Sequence, residues 1–301
     1  VTAPPLDPAR AEALARSAAA AWDLESPELL RVGMTAIYTA GASTVLRVHR
    51  PNGDPSASVR LAEELLGSGI RVPAPRCAEV LVDHDADGAT LAVAAFERIG
   101  GGGPVDWEAV GAMVRRVHAL DPAVIGALHP MPWCGDVPWW NVERLLDDAA
   151  DDLDGGALDS GALDGMCACW ERHRSWAGRV VERVVCHGDV HPGNVLSASD
   201  GPVLIDWDLL CVGPRAWDHA PLATWSSRWG GPADLVERFR AGYGASFEGD
   251  PVGDALAELR LLVATLMRVR AGRTNPAARA EAERRLRWWR GDPAAPQWQA
   301  M

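Results

Sequence analysis

The sequence predicts an α+β protein of two lobes, an N-terminal lobe built on an antiparallel sheet and a mainly helical C-terminal lobe. Three observations carry that expectation. Short β-branched runs separated by glycine and polar turns fill residues 29–50 and 77–99, the pattern turns mainly helical from about residue 107, and four glycines at 100–103 stand between. The 301 residues, 48% of them hydrophobic, suffice for a sizeable core in one large domain or two lobes. The boundary is expected at the glycines, giving lobes of residues 1–100 and 101–301.

Residues 8–22 read as an Ala-rich amphipathic helix, and LLRVG (29–33), AIYTAG (36–41) and STVLRVHR (43–50) as antiparallel strands. In the last of these Val45, Arg47 and His49 share one face and Leu46 and Val48 the other, so Arg47 projects from a half-buried strand. A helix follows over 56–67, with Val59, Ala62, Leu65 and Leu66 on one side and Gly67 and Gly69 as its stop. CAEVLVDHDADGATLAVAAFERI (77–99) has the pattern of a hairpin turning at Asp87-Gly88. After the glycine joint, Asp106 is a good N-cap for the helix that begins at Trp107.

A formal net charge of −12 argues against a nucleic-acid partner and suits neutral or cationic ones. All 29 basic side chains are Arg; without Lys, a Schiff-base nucleophile and a Walker A loop are excluded. The first residues show no basic segment followed by an apolar one, and no apolar run of about 18 residues occurs. The expected location is the cytoplasm, with no membrane contact. The six cysteines read as free thiols. A zinc site from Cys167 and Cys169 with Cys186 or Cys211 lacks the paired C-x-x-C spacing. Residues 136–164 hold nine acidic side chains against one Arg and read as a solvated surface, a substrate-facing wall being the rival. Trp133, Trp139 and Trp140 at its entry read as core in preference to a stacking platform. Arg260 to Arg290, nine Arg against two Glu, reads as a solvated helix face or a complement to the acidic insert. Oligomeric state is not legible.

The chemistry concentrates in CHGDVHPGNVL (186–196) and VLIDWDLL (203–210). Asp189 and Asn194 lie five apart across a Pro-Gly turn with strand-like flanks, a spacing that lets a carboxylate accept a hydroxyl proton while an amide oxygen ligates Mg²⁺. Asp206 ends the apolar run PVLI, where it supplies a second hard oxygen ligand.

HGDVHPGNVL followed by LIDWD and WDHA resembles the aminoglycoside phosphotransferase/choline kinase-like family, small-molecule kinases with a protein-kinase-like fold; the resemblance spans roughly 30–270 and is sharp over 187–218. It implies ATP as donor, Mg²⁺, and a hydroxyl of a small molecule as acceptor, with an aminoglycoside-like compound or a sugar as the best guess. Residue by residue, it implies that Asp189 is the base, that Asn194 and Asp206 hold the metal, that His187 and Gly188 shape the loop, and that Asp218 caps or anchors the helix after it. Arg47 matches the strand position of a phosphate-binding cation, usually Lys, and Thr35 sits in the phosphate-covering loop Gly33–Tyr38. The position of the usual glutamate partner of Arg47 falls near Ser58, with Glu63 and Glu64 a turn or more later. Adenine would meet backbone groups of Phe96, Glu97 and Arg98, which makes 1–100 the nucleotide-binding lobe and 101–301 the lobe of the catalytic and metal loops. Asp208 and His191 lie within reach of an acceptor, although solvated or structural use competes for both. Two other readings stay open: a nucleotide-binding scaffold without phosphorylation, and a metal-dependent hydrolase on His187, Asp189 and His191.

Overall fold

The computed structural model describes residues 6–51, 53–85, 89–154 and 160–300; the expected turn at Asp87-Gly88 and part of the acidic stretch lie outside them. The chain divides into two compact units, neither contiguous: one holds residues 1–106, 120–130 and 192–206, the other 107–119, 131–191 and 207–301.

In the first unit a five-stranded antiparallel sheet runs in the order β1-β2-β3-β5-β4, from β1 (Glu28–Val32), β2 (Ala36–Ala40), β3 (Thr44–His49), β4 (Leu81–His84) and β5 (Thr90–Glu97). Alternation sorts its faces. Tyr38, Leu46, Val48, Val93 and Ala95 pack on Ala11, Leu14, Ala15 and Ala18 of helix α1 (Pro8–Ala21), forming one core. The other face carries Arg47, opposite Ile37 on one side and Ala94 on the other, as the strand periodicity requires. α1 starts at Asp7, whose carboxylate accepts the Ala9 N–H, with Pro8 at its first position. Helix α2 (Ala57–Gly67) buries Val59, Leu61, Ala62 and Leu65, not the expected Leu66, which is 36% exposed: the 3.6-residue turn puts Leu61 with Leu65 on the buried side.

Two later segments complete this unit. Helix α4 (Pro122–Gly126) is one, and the ribbon of β7 (Val195–Ala198) and β8 (Gly201–Leu204) is the other. The ribbon is tied by hydrogen bonds from Gly102 N–H to the Ser197 carbonyl (2.6 Å) and from Leu204 N–H to the Arg71 carbonyl (2.9 Å), and by an Arg71–Asp200 ion pair at 2.6 Å. These bonds are why a stretch far along the chain clusters with the sheet.

The second unit is helical: α3 (Trp107–Val117), α5 (Val142–Asp154), α6 (Ser160–His173), α7 (Ala216–Ala223), α8 (Trp225–Arg228), α9 (Leu235–Tyr243), α10 (Pro251–Gly272) and α11 (Pro276–Trp289), with a short antiparallel pair β6 (Val184–Cys186) and β9 (Cys211–Gly213). α10 buries Leu256, Leu259, Leu262 and Leu266 in a core shared with Leu145, Met166, Trp140, Trp176 and Trp217. α3 and α9 cross backbone to backbone at Gly111 and Gly242, where a Cβ would meet the Phe239 and Glu108 carbonyls. The acidic stretch follows the surface reading: Glu143, Asp147, Asp151 and Asp164 are exposed, while Val142, Leu145, Leu146 and Ala149 of α5 face inward. Trp140 belongs to the core, and Trp133 stacks on Trp176 at 5.8 Å. The arginine run divides: Arg273, Arg279 and Arg290 are exposed and Arg273 donates to the Asp148 carbonyl of the acidic stretch, whereas two members turn inward. Arg260 is 10% exposed and Arg285 2%: indole rings cover both, with Arg260 paired to the part-exposed Asp189 and Arg285 to the buried Glu281.

All six cysteines are free. No described helix is long and apolar enough to cross a membrane.

Candidate active site

The loop after β6 holds Asp189, and a buried carboxylate of the second unit fixes the backbone ahead of it. His187 N–H and Gly188 N–H each donate to the Asp218 carboxylate at 2.8 Å. Asp218, on α7 and fully buried, therefore anchors its helix to the loop ahead of Asp189; of the two expected uses, capping and anchoring, its hydrogen bonds are those of anchoring. His118 Nε2 lies 3.0 Å from the same carboxylate, and its Nδ1 2.8 Å from the Tyr243 hydroxyl. Burial pushes the Asp218 carboxyl up, but the His118 hydrogen bond, the charges of His118 and His187 and the Gly188 amide outweigh it and hold the carboxyl below its ordinary value. Gly188 adopts φ +94°, and a Cβ there would strike the Leu209 carbonyl, so the turn admits glycine alone.

His187 is buried and structural, as expected: its Nδ1 accepts the Asp189 N–H at 3.3 Å and its ring lies 4.4 Å from that of Trp207. The Asp189 carboxylate is 29% exposed, with Oδ2 3.4 Å from His191 Nε2 and Oδ1 3.4 Å from Arg260 Nη1. Burial pushes its carboxyl up, yet the His191 hydrogen bond and the charges of Arg260, His191 and His187 hold it below the ordinary range, leaving an ionised carboxylate at neutral pH. His191 stacks on Trp225 (5.7 Å, 16°), which stacks on Trp229.

Arg260 was not legible as a site residue. It lies 71 residues from Asp189, on α10, and donates from Nη2 to the Gly188 carbonyl at 2.5 Å. The one available signal was an arginine at a position of α10 between Leu256, Leu259, Leu261 and Val263, which the charge count of the whole run obscured.

The metal candidates belong to the first unit. Asn194, 7% exposed, closes a short 3₁₀ turn (Pro192–Asn194), and its carbonyl accepts Ile205 N–H at 3.0 Å. That bond continues the β7–β8 ladder, in which Val195 pairs with Leu204, so Asn194 and Asp206 emerge from the same end of one ribbon. Asp206 is exposed and sits at φ +67°, a left-handed conformation that aspartate tolerates better than most residues. An amide oxygen and a carboxylate are the hard donors a divalent cation such as Mg²⁺ takes.

The same unit holds every nucleotide candidate. Arg47 is half-buried on β3, and Phe96 shares its face through the Val45 pairing. Thr35 lies in the turn between β1 and β2, its carbonyl accepting Gly33 N–H at 2.9 Å. The Glu97 and Arg98 amides donate to the Ala74 (2.7 Å) and Ser43 (2.8 Å) carbonyls, so a base at this edge must use other groups of Phe96, Glu97 and Arg98. At the position expected for the glutamate, Ser58 Oγ is buried without a partner; Glu63 is exposed, and Glu64 meets Ser68 Oγ at 3.4 Å.

Among the described residues, the clusters tight enough to share an ion are His118–Cys186–Asp218 and Cys169–His173–Glu258; His187, Asp189 and His191 do not form one. Glu258 is already paired with Arg172 at 2.8 Å.

The sequence profile of the phosphotransferase enzyme family matches residues 35–262. The chain belongs to this family. Solved structures agree on the fold. An aminoglycoside 2'-phosphotransferase-IIIa in its GDP complex is 13% identical with a TM-score of 0.68, covering 95% of this chain and 99% of that one. A choline/ethanolamine kinase family protein from Mesorhizobium loti is 20% identical, with a TM-score of 0.59 and coverage of 90% and 88%. An amicoumacin kinase in complex with AMP-PNP, Ca²⁺ and Ami is 14% identical, with a TM-score of 0.65 and coverage of 94% and 95%. Comparison with curated protein sequences gives no match. The protein is thus a phosphotransferase of kinase-like fold, and its Asp189 loop and β7–β8 ribbon both lie within the matched segment.

Proposed function

We propose that this phosphotransferase moves the γ-phosphate of ATP to a hydroxyl of a small molecule, with an aminoglycoside-like or sugar acceptor. The observation that carries the reading is Asp189: an ionised, part-exposed carboxylate on a loop whose backbone is pinned by Asp218 and whose oxygens face His191 and Arg260.

Phosphoryl transfer passes through a loose transition state, so the protein's work is positioning and charge neutralisation. Asp189 orients the acceptor hydroxyl and takes its proton. Asn194 and Asp206 supply oxygens for a divalent cation, Mg²⁺ in this reading, which when bound offsets the charge of the phosphates. Arg47 holds the α/β-phosphates; a guanidinium does this as well as the usual ammonium. Thr35 faces the phosphates, and the purine lies at Phe96, Glu97 and Arg98. Along the sequence, residues 1–100 form the nucleotide lobe and 101–301 carry the catalytic and metal loops and the acceptor site, the metal loops clustering with the sheet's unit. Relatives of the same fold solved with GDP, AMP-PNP and Ca²⁺ support a nucleotide and a divalent cation. The net charge of −12 supports a cationic or neutral acceptor over an anionic one.

The test is transfer of label from γ-labelled ATP, and in parallel GTP, to aminoglycosides, other antibiotics, amino sugars, neutral sugars and choline-type amines. Labelled product with an aminoglycoside or sugar is expected. Product with choline-type amines alone would replace the acceptor class, and no transfer from either nucleotide to any compound would remove the donor assignment.

A further inference from the structure

Resting on the reading of Asp189 as the hydroxyl-activating carboxylate, we propose that Arg260 is a positioning residue of the reaction, setting the orientation of the Asp189 carboxylate from a helix 71 residues away. One guanidinium grips the loop twice, at the Gly188 carbonyl through Nη2 (2.5 Å) and at Asp189 Oδ1 through Nη1 (3.4 Å). Those atoms lie on either side of the Asp189 backbone nitrogen and its side-chain torsions, so holding both fixes where the carboxylate points. Asp218 fixes the amide side of the same turn, at His187 N–H and Gly188 N–H. The loop is thus clamped from two helices, α7 by acceptors and α10 by donors.

The guanidinium is itself held. Its carbon lies 4.8 Å from the ring centroids of Trp139 and of Trp217 and 5.6 Å from that of Trp140. Nε is buried with no oxygen partner, its surroundings being indole. Such a box suits a flat, delocalised, weakly hydrated cation and does not suit an ammonium, which keeps its hydration and offers no fork. This gives the tryptophans at 139 and 140 a use that is neither a bare core nor an acceptor platform: they orient the residue that orients the base.

The test compares Arg260→Lys and Arg260→Ala with the wild type and with Asp189→Ala. Readouts are thermal midpoint, nucleotide affinity, Mg-ATP hydrolysis without acceptor, and kcat and KM for the best acceptor of the panel. Arg260→Lys should fold, bind nucleotide within a few-fold of wild type, and lose kcat by about 10²-fold with little change in KM, the cost of a misplaced catalytic group. Arg260→Ala should lose more and recover part of it on addition of methylguanidinium, but not of sodium at equal concentration; a residue that only supports the fold would not respond so. The acid limb of the rate profile should move to higher pH in Arg260→Ala, which removes the cation beside Asp189. A folded Arg260→Ala with wild-type kcat, beside an inert Asp189→Ala, would overturn the inference and leave the role of Asp189 standing. An Asp189→Ala protein as active as wild type would instead remove the reading on which it rests.

Discussion

At the scale of single residues the site is decided by buried charge. Asp189→Asn keeps the shape and removes the proposed base; turnover should fall by about 10²–10⁴-fold, with nucleotide affinity unchanged in a fluorescence titration. Because its neighbours hold Asp189 below the ordinary carboxyl value, about 3.9, activity should persist to acid pH and be lost only as pH falls through that depressed midpoint. Asp218 has the larger structural role. Its removal strands two loop amides and His118 in a site closed to water, at about 1–3 kcal/mol for each unsatisfied group, so Asp218→Ala should lower unfolding free energy by at least about 3 kcal/mol and turnover with it. Denaturant unfolding measures the first. His219 offers a pH signature of the fold itself. Its ring is set edge-on against Phe239, Tyr243 and Phe247, and burial takes its pKa down to about 3. The unfolded chain takes up a proton near pH 6.5 and the folded one does not. Stability should therefore decline by up to about 1.4 kcal/mol per pH unit as pH falls from about 6.5 towards 3. His219→Gln should flatten that slope in denaturant unfolding measured across pH.

At the scale of elements, what could be read from the chain was what the chain keeps contiguous. The strands of the sheet, the helix before them and the Asp189–Asn194–Asp206 spacing announce themselves by local periodicity and turn residues. What escaped was built from distance. Arg260 sits on a helix whose charge count suggests solvent, and only the packing of α10 against Trp139, Trp140 and Trp217 shows otherwise. Asp218 belongs to the recognisable motif WDHA, but its partners, 30 and 31 residues earlier, cannot be inferred from the motif. Leu66 was misplaced by one helical position, which a short amphipathic helix does not resolve. The tightest element is the turn at Gly188. Gly188→Ala demands a left-handed alanine and drives its Cβ into the Leu209 carbonyl, so the variant should be unfolded or inactive, in contrast to Gly178→Ala, where a Cβ meets nothing within 4 Å. Circular dichroism with a turnover assay separates these outcomes.

At the scale of the whole molecule, every residue proposed for nucleotide and metal lies in one compact unit, and the proposed base with its clamps in the other. That distribution predicts separable losses. Asp206→Ala, or chelation of divalent cations, should weaken nucleotide binding; changes at Asp189 should spare it. The measurement that tests the central claim most directly is a paired one on Asp189→Ala: nucleotide affinity in the presence of Mg²⁺, and the rate of nucleoside diphosphate release with the acceptor that the wild type uses fastest. The assignment predicts unchanged affinity with release reduced by about 10²-fold or more. Release at the wild-type rate from the folded variant would contradict it and send the search for the base elsewhere in the second unit.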